Sequence, residues 1–308
     1  MKRFLTYIVV FAFVSILTVV VLDVIMLSCK NNYSLRSHEI NYINSYNRLK
    51  SLKDSNKIVI ISGSSGSFSI NSKMIHKVFN MPVVNTSTHA KIGVRMQFET
   101  YKDYLRKGDV VVLCPEYGGD KSRLYGGTAL LRIVSTHLPS AYSKLSFSQW
   151  AFLHKYIGIH FDEALKYDDE EIAPAYSNKA LNEYGDIGIE RFHGDSIKGC
   201  QIEGKVDSEY IEYLKYIRVF TRKNGIKLIF IPPTLMKSTF NSKKKQIDSI
   251  EYSLKCNGIL FDALPERYSF PDSLYFDTPY HMTTSGTNKR TQLLIEDMLK
   301  KCGNNKGF

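Results

Sequence analysis

The sequence predicts an α/β protein: a doubly wound parallel sheet of about five strands, preceded by one N-terminal transmembrane helix. Short apolar runs alternate with helical stretches between residues 57 and 301, a rhythm typical of parallel sheets covered by helices. Residues 4–22 form a nearly uninterrupted apolar run, about long enough to span a bilayer as a helix. The chain has 308 residues, 44% of them hydrophobic, which suffices for one large domain with its own core.

The N-terminal segment, residues 1–29, is predicted to be an uncleaved signal anchor. Lys2 and Arg3 precede the apolar run, and positive charges at this position favour an N-terminus in the cytoplasm. The rest of the chain is then expected to lie outside the cytoplasm, in the periplasm or at the cell surface, as a single-pass membrane protein. Two alternatives are a cleaved signal peptide and a lipoprotein modified at Cys29.

The strands and helices follow one another in a regular order. Residues 30–56 are polar and rich in Tyr and Asn, and we interpret them as a juxtamembrane helix or stalk. The predicted helices lie at residues 92–106, 208–224 and 284–301. Residues 118–206 interrupt the rhythm and are interpreted as an insertion, with helices around Leu130 and Phe152, that caps the ligand-binding edge of the sheet. The predicted strands are residues 57–62, 82–85, 109–114, 226–231 and 258–262.

Composition narrows the possible partners. The net charge of +11 favours anionic surroundings such as a membrane surface or an acidic polymer. The sequence has no zinc-finger or RNA-binding aromatic motif, so nucleic acid is not an expected partner. None of the five cysteines forms a Cys-x-x-Cys pair, so no metal site is predicted. No disulfide and no cofactor is predicted either.

Polar side chains with complementary chemistry follow the predicted strands. Ser65 comes after the first strand, Gly93 after the second, Glu116 after the third, and Asp277 and His281 precede the last helix. Because ligands bind beyond the carboxyl ends of parallel strands, these residues are expected to converge. A serine hydroxyl needs a base to accept its proton, and a carboxylate orients the histidine that acts as that base. The pattern predicts nucleophilic acyl chemistry.

Two stretches resemble the first and last conserved blocks of the SGNH/GDSL hydrolase superfamily. They are IVIISGSSGSFSINS at residues 58–72 and DTPYHMTTSG at residues 277–286. The resemblance implies a flavodoxin-like SGNH domain over residues 57–308, with the insertion at about 118–206. It assigns Ser65 as nucleophile, Asp277 and His281 as acid and base, and the backbone N–H groups of Ser65 and Gly93 as the oxyanion hole. Ser64 is the first alternative for the nucleophile.

The chain departs from the pattern of that superfamily at two places. Asp277 and His281 are four residues apart, where three is usual. The Gly-x-Asn-Asp block is absent after the third strand, where Pro115, Glu116 and Tyr117 stand instead. The oxyanion-hole asparagine is therefore unassigned, and Glu116 is a candidate contact for a sugar hydroxyl. Asp272 is the alternative acid.

Together with the N-terminal anchor, the sequence resembles membrane-tethered SGNH proteins that acylate cell-envelope polymers, such as alginate O-acetyltransferases and the lipoteichoic-acid D-alanylation protein. The resemblance implies a serine acyltransferase or carbohydrate esterase acting on an envelope or exported polysaccharide. Its expected partners are a glycan acceptor and a multi-span membrane acyltransferase. The alternative is a catalytically silent accessory or glycan-binding protein that kept the fold.

Overall fold

The computed structural model describes residues 2–30, 32–166 and 171–303, and it is an α/β protein built on a four-stranded parallel sheet. The strands are β1 (Ile58–Ile61), β2 (Val83–Asn85), β3 (Val110–Leu113), β4 (Lys227–Phe230), β5 (Leu235–Met236) and β6 (Ser269–Phe270). The sheet has the order β2-β1-β3-β4, while β5 and β6 form a separate parallel pair. The interior strands β1 and β3 are buried throughout, as expected for strands covered on both faces.

The helices cover both faces of this sheet. Those at residues 208–224 and 284–301 were predicted to within two residues, whereas the predicted helix at 92–106 ends earlier, at Tyr101. The helices are α1 (Lys2–Ser28), α2 (Tyr33–Arg36), α3 (Asn41–Ser51), α4 (Ser64–Ser69), α5 (Ser72–Phe79), α6 (Val94–Tyr101), α7 (Lys121–Tyr125), α8 (Thr128–His137), α9 (Phe147–Leu153), α10 (Ile157–Lys166), α11 (Ser208–Lys223), α12 (Lys237–Ser242), α13 (Lys244–Cys256) and α14 (Thr284–Gly303).

The core has two halves, one on each face of the sheet. Because side chains alternate along a strand, Ile58 and Ile60 of β1 point to one face and Val59 and Ile61 to the other. The first pair packs with apolar residues of α5 and α14. The second packs with residues of α6, α11 and α13. Strand β1 therefore needs large apolar side chains on both of its faces, which explains its uninterrupted apolar sequence.

Helix α1 is the one candidate membrane-spanning helix among the described residues. None of its residues is fully buried, and the apolar side chains from Phe4 to Ile25 are largely exposed. The last turns of α1 contact α8 and α10, where Met26 and Leu27 pack against the core. The helix thus leaves the α/β unit at a defined place.

The segment interpreted as a juxtamembrane helix or stalk packs against the α/β unit. Tyr42 and Leu49 of α3 are fully buried. The side-chain amide of Asn41 donates hydrogen bonds to the carbonyl oxygens of Asn85 and Ser87, both at 2.9 Å. Residues 33–51, part of the segment interpreted as a juxtamembrane helix or stalk, are therefore largely helical and add a layer over the end of β2.

The predicted fifth strand at residues 258–262 is not a strand. Asp262 contacts the outer edge of β4 with two hydrogen bonds: its N–H donates to the Phe230 oxygen at 2.7 Å, and its carboxylate accepts from the Phe230 N–H at 2.8 Å. Gly258 begins the segment in a left-handed conformation, with φ of 72°, which breaks the extended geometry. The segment covers the edge of β4 without extending the sheet.

The described parts of the insertion, residues 118–166 and 171–206, are helical and irregular. They contain α7 to α10, including the helices predicted around Leu130 and Phe152, and short 3₁₀ turns near Tyr176. The first of these helices, α7, contacts α6 and α11. The insertion brings Tyr176 and Arg123 to the carboxyl edge of the sheet.

A buried ion pair joins the beginnings of β1 and β3. Lys57 Nζ lies 2.9 Å from Asp109 Oδ2, and both side chains are fully buried. The same carboxylate accepts hydrogen bonds from the backbone N–H groups of Lys57 and Arg106. Three donors therefore satisfy Asp109, and the carboxylate fixes how the two central strands begin.

We predict that Asp109→Ala lowers the free energy of unfolding by about 3–5 kcal/mol, because it leaves the Lys57 ammonium buried without a partner. Urea unfolding of the detergent-solubilised chain measures this. The control is Asp162→Ala, which removes the exposed pair with Lys166 and should cost less than about 1 kcal/mol. Equal decreases in the free energy of unfolding in the two variants would contradict the prediction.

Candidate active site

The site begins at the turn after β1. Ser64 is the first residue of α4 and follows β1 after Ser62 and Gly63. A Cβ atom on Gly63 would lie 2.1 Å from a carboxylate oxygen of Glu116, so a larger residue there would have to displace that carboxylate. A Cβ atom on Gly66 would lie 2.1 Å from the Ser87 hydroxyl and 2.7 Å from the Cβ atoms of Ser62 and Ser87. The close packing of this turn holds Ser64 at the carboxyl end of a central strand.

Asp277 and His281 lie on a tight loop that precedes α14. The Phe276 N–H donates to the His281 oxygen at 2.8 Å, and the His281 N–H donates to the Thr278 hydroxyl at 3.1 Å. These bonds close a turn in which residues four apart face the same way. The spacing of four residues is therefore compatible with an Asp–His pair.

His281 connects a serine to the carboxylate. Its Nε2 lies 2.9 Å from Ser64 Oγ, and its Nδ1 lies 2.9 Å from Asp277 Oδ1. Both distances are within hydrogen-bond reach. His281 is 5% exposed, so the imidazole is shielded from most of the solvent, and the three side chains form one continuous hydrogen-bonded chain.

Two aromatic residues fix the histidine and the carboxylate. The ring of Phe68 stacks on His281 with centroids 4.1 Å apart and an interplanar angle of 12°. The Tyr176 hydroxyl donates to Asp277 Oδ2 at 2.5 Å and lies 3.1 Å from His281 Nδ1. Each oxygen of Asp277 therefore has its own partner, and the imidazole cannot rotate freely.

These contacts set the charge of the carboxylate. Burial alone would raise the pKa of Asp277, but the hydrogen bond and charge of His281, together with the Tyr176 hydroxyl, hold it below the ordinary value of 3.8. Burial and the neighbouring carboxylate raise the pKa of Tyr176 above its ordinary value. Tyr176 is therefore a hydrogen-bond donor and Asp277 is ionised at neutral pH.

Ser65, the predicted nucleophile, faces away from His281. It is fully buried, and its hydroxyl lies 3.2 Å from the Ser62 hydroxyl. Successive residues of a helix point about 100° apart, so Ser64 and Ser65 cannot both face the imidazole. The serine that contacts His281 is Ser64, which corrects the expected geometry. Nothing in the pair Ser64-Ser65 indicates from sequence which of the two faces outward.

The two backbone groups predicted to form the oxyanion hole are already engaged. The Ser65 N–H donates to Glu116 Oε1 at 3.0 Å. The Gly93 N–H donates to the Ala90 oxygen at 3.2 Å. Gly93 has a φ of 83° and lies against the backbone of residues 124–126, so its glycine is required by that close approach.

Glu116, the predicted sugar contact, supports the turn after β1. Its carboxylate packs against Gly63, accepts the Ser65 N–H and lies 3.7 Å from Arg123 Nη1. Burial alone would lower the pKa of Arg123, but Glu116 raises it above its ordinary value. Glu116 also lines the cavity beside Ser64, so a contact with a ligand stays a prediction.

A cavity of about 410 Å³ opens over Ser64 and His281, a size typical of small-molecule sites. Its walls come from the loops after β2 and β3, from residues 199–205 and from the loop that carries His281. Lys91 and Arg123 line it. His89 lines it as well, and burial lowers the pKa of His89 to about 4, so this ring is neutral.

In the described ranges 2–30, 32–166 and 171–303, no three histidine, cysteine or acidic side chains cluster in a way that could hold a metal ion. The alternative acid Asp272 accepts the N–H of Ser238 instead. Tyr176 and Phe68 were not identified from sequence. Tyr176 lies in the insertion, outside both resembling stretches, and Phe68 lies within the first stretch but is not one of the residues to which the resemblance assigns a role.

Comparison of the chain with models of protein families, with curated proteins and with solved structures found no match.

We predict that Tyr176→Phe raises the pKa of Asp277, because it removes a hydrogen bond to the ionised carboxylate. A carboxyl whose pKa is depressed by folding contributes stability above its unfolded pKa, and this contribution disappears as pH falls through the folded pKa. The variant should therefore lose roughly 1.5–3 kcal/mol of unfolding free energy at neutral pH. Below the ordinary pKa of 3.8 the loss should be smaller.

Unfolding measured across the acid range tests this. Tyr104→Phe is the control, since Tyr104 donates to the neutral Tyr46 hydroxyl, and its cost should not change with pH. A pH-independent cost for Tyr176→Phe would show that its hydroxyl does not act on the charge of Asp277.

Proposed function

We propose that this chain is a membrane-anchored serine acyltransferase or esterase that modifies an extracytoplasmic glycan, with Ser64 as its nucleophile. The observation that carries the proposal is the hydrogen-bonded chain Ser64–His281–Asp277. This arrangement supplies the nucleophile, the base and the orienting carboxylate that acyl transfer through a serine ester requires.

The proposed reaction has two halves. Ser64 Oγ attacks the carbonyl carbon of an acyl ester while His281 Nε2 accepts the hydroxyl proton. The tetrahedral intermediate collapses, the bond to the leaving oxygen breaks, and that oxygen takes the proton from His281. The acyl group is now an ester of Ser64. Asp277 holds the Nδ1–H of His281 throughout and stabilises the transient imidazolium.

The second half returns the enzyme to its starting state. A sugar hydroxyl or a water molecule gives its proton to His281 and attacks the acyl carbon. The bond to Ser64 Oγ breaks, and Ser64 regains a proton from His281. A sugar acceptor gives transfer and water gives hydrolysis. Arg123, on the wall of the same cavity, is the cation that we expect to face the negative charge of the intermediates.

The fold supports the resemblance to SGNH hydrolases. The strand order 2-1-3-4 agrees with a flavodoxin-like sheet as far as it extends. The serine follows the first strand, and the Asp–His pair precedes the last helix, as in that superfamily. In the proposal the acceptor is an envelope polysaccharide, and a multi-span membrane acyltransferase supplies the acyl group.

One observation favours the second candidate, a catalytically silent accessory or glycan-binding protein. Both backbone donors predicted for the oxyanion hole are hydrogen-bonded within the protein. An enzyme without preorganised donors at that position loses a large part of its rate enhancement. The cavity would then bind a glycan without changing it.

We predict that Ser64→Ala abolishes labelling by a fluorophosphonate probe and lowers ester hydrolysis by at least about 10²–10⁴-fold, since it removes the hydroxyl that contacts His281. Ser65→Ala is the matched control: it removes the neighbouring hydroxyl, which contacts Ser62, and should keep labelling and activity. If labelling and ester hydrolysis were lost in Ser65→Ala but kept in Ser64→Ala, the nucleophile would be Ser65. A wild-type chain that is neither labelled nor active favours the silent accessory.

We predict a single span with the N-terminus in the cytoplasm, because Lys2 and Arg3 precede the apolar part of α1. Protease added outside the inner membrane should remove a tag at the C-terminus and leave a tag at the N-terminus intact. Protection of the C-terminal tag until the membrane is lysed would place the site in the cytoplasm and exclude an extracytoplasmic glycan as substrate.

A further inference from the structure

One ionisable pair connects the candidate membrane helix to the insertion. Asp23, in α1, lies with its Oδ2 3.0 Å from Nδ1 of His154, which directly follows α9. The last turns of α1 also contact α10. The junction between α9 and α10 is thus held beside α1 at the residue where the long apolar run ends.

The position of Asp23 along α1 indicates how deep this residue would lie in a membrane. The apolar run of residues 4–22 spans about 28 Å as a helix, close to the hydrocarbon thickness of a bilayer, about 30 Å. If these residues cross the membrane, Asp23 lies at its surface. His154 then lies at the same level, and so does the end of α9.

The surface of α9 is suited to that position. Phe147 is 88% exposed, the largest exposed fraction of any large hydrophobic side chain in the part of the chain that the structure describes. Ala151 is exposed on the next turn of α9. Trp150 stacks on Tyr142 with centroids 5.3 Å apart. Lys155 extends over the Phe152 ring, with its ammonium 3.9 Å from the centroid.

We infer that α9 is an interfacial helix that rests on the lipid bilayer beside α1. Aromatic side chains with a polar edge concentrate at the headgroup level of membranes, and lysine can place its charge among the headgroups while its stem covers apolar surface. Phe147 enters the acyl boundary, and Lys155 meets anionic headgroups. The inference rests on the membrane-spanning part of the proposed function and is independent of its catalytic part.

The chain contains its own reporter. Trp150 is its single tryptophan and lies in α9. The full-length chain is reconstituted into vesicles of phosphatidylcholine and phosphatidylglycerol, with or without lipids brominated near the carbonyl end of their acyl chains. Bromine quenches tryptophan fluorescence only at short range. Quenching of Trp150 by the brominated lipids is expected if α9 lies at the interface.

Phe147→Glu tests the contact itself. Replacing an aromatic side chain that enters the acyl boundary with a charged one shifts the equilibrium between lipid-bound and lipid-free α9 by about tenfold or more, so quenching of Trp150 should fall strongly. Because Phe147 is exposed, the fold should tolerate the change. Leu260→Glu is the matched control: Leu260 is also exposed, at 62%, lies beside β4 and should leave quenching unchanged.

The outcomes separate the inference from the proposed function. A chain that floats with the vesicles, shows bromine quenching and loses it in Phe147→Glu alone supports an interfacial α9. A chain that floats but shows no quenching, or equal quenching in wild type and Phe147→Glu, overturns the inference and leaves the anchor intact. A chain that does not float overturns both. The esterase and labelling assays of Ser64 are unaffected by any of these results.

Discussion

The candidate site depends on the hydrogen bond from the Ser65 N–H to Glu116. This bond ties the turn after β1 to the end of β3, the neighbouring strand, and its carboxylate occupies the space that a side chain at residue 63 would need. The turn is thereby held in one conformation, in which the Ser64 side chain faces the cavity and the Ser65 side chain is buried. The contact between Ser64 and His281 follows from that conformation.

The same bond gives Glu116 a structural role at the end of β3. Glu116 accepts the hydrogen bond of the Ser65 N–H, and it pairs with Arg123. One carboxylate thus engages a backbone N–H of the turn after β1 and holds a positive side chain at the wall of the cavity. The geometry of the turn and the charge of the wall therefore depend on the same residue.

The sheet and the Asp–His pair were predictable from sequence, whereas the details around them were not. Apolar runs at β1 to β4 are local signals, and the pair at Asp277 and His281 lies within one short loop. The edge segment at 258–262 has an equally apolar sequence, but Gly258 and the side chain of Asp262 decide its shape. Tyr176 and Asp277 are 101 residues apart in the sequence and meet only through tertiary packing. A local sequence pattern cannot predict such a contact.

The packing of residues 33–51 changes how a tethered domain would work. A domain on a flexible tether explores a volume, and its encounter with a partner on the same membrane depends on the effective concentration that the tether length sets. Here the chain after α1 is fixed to the sheet through Asn41, Tyr42 and Leu49. Only four residues, 29–32, separate α1 from α2, so the height of the cavity above the end of α1 varies little. In the proposed function, a partner on the same membrane would therefore reach Ser64 only from a position that fits this height, whatever the length of its own linker.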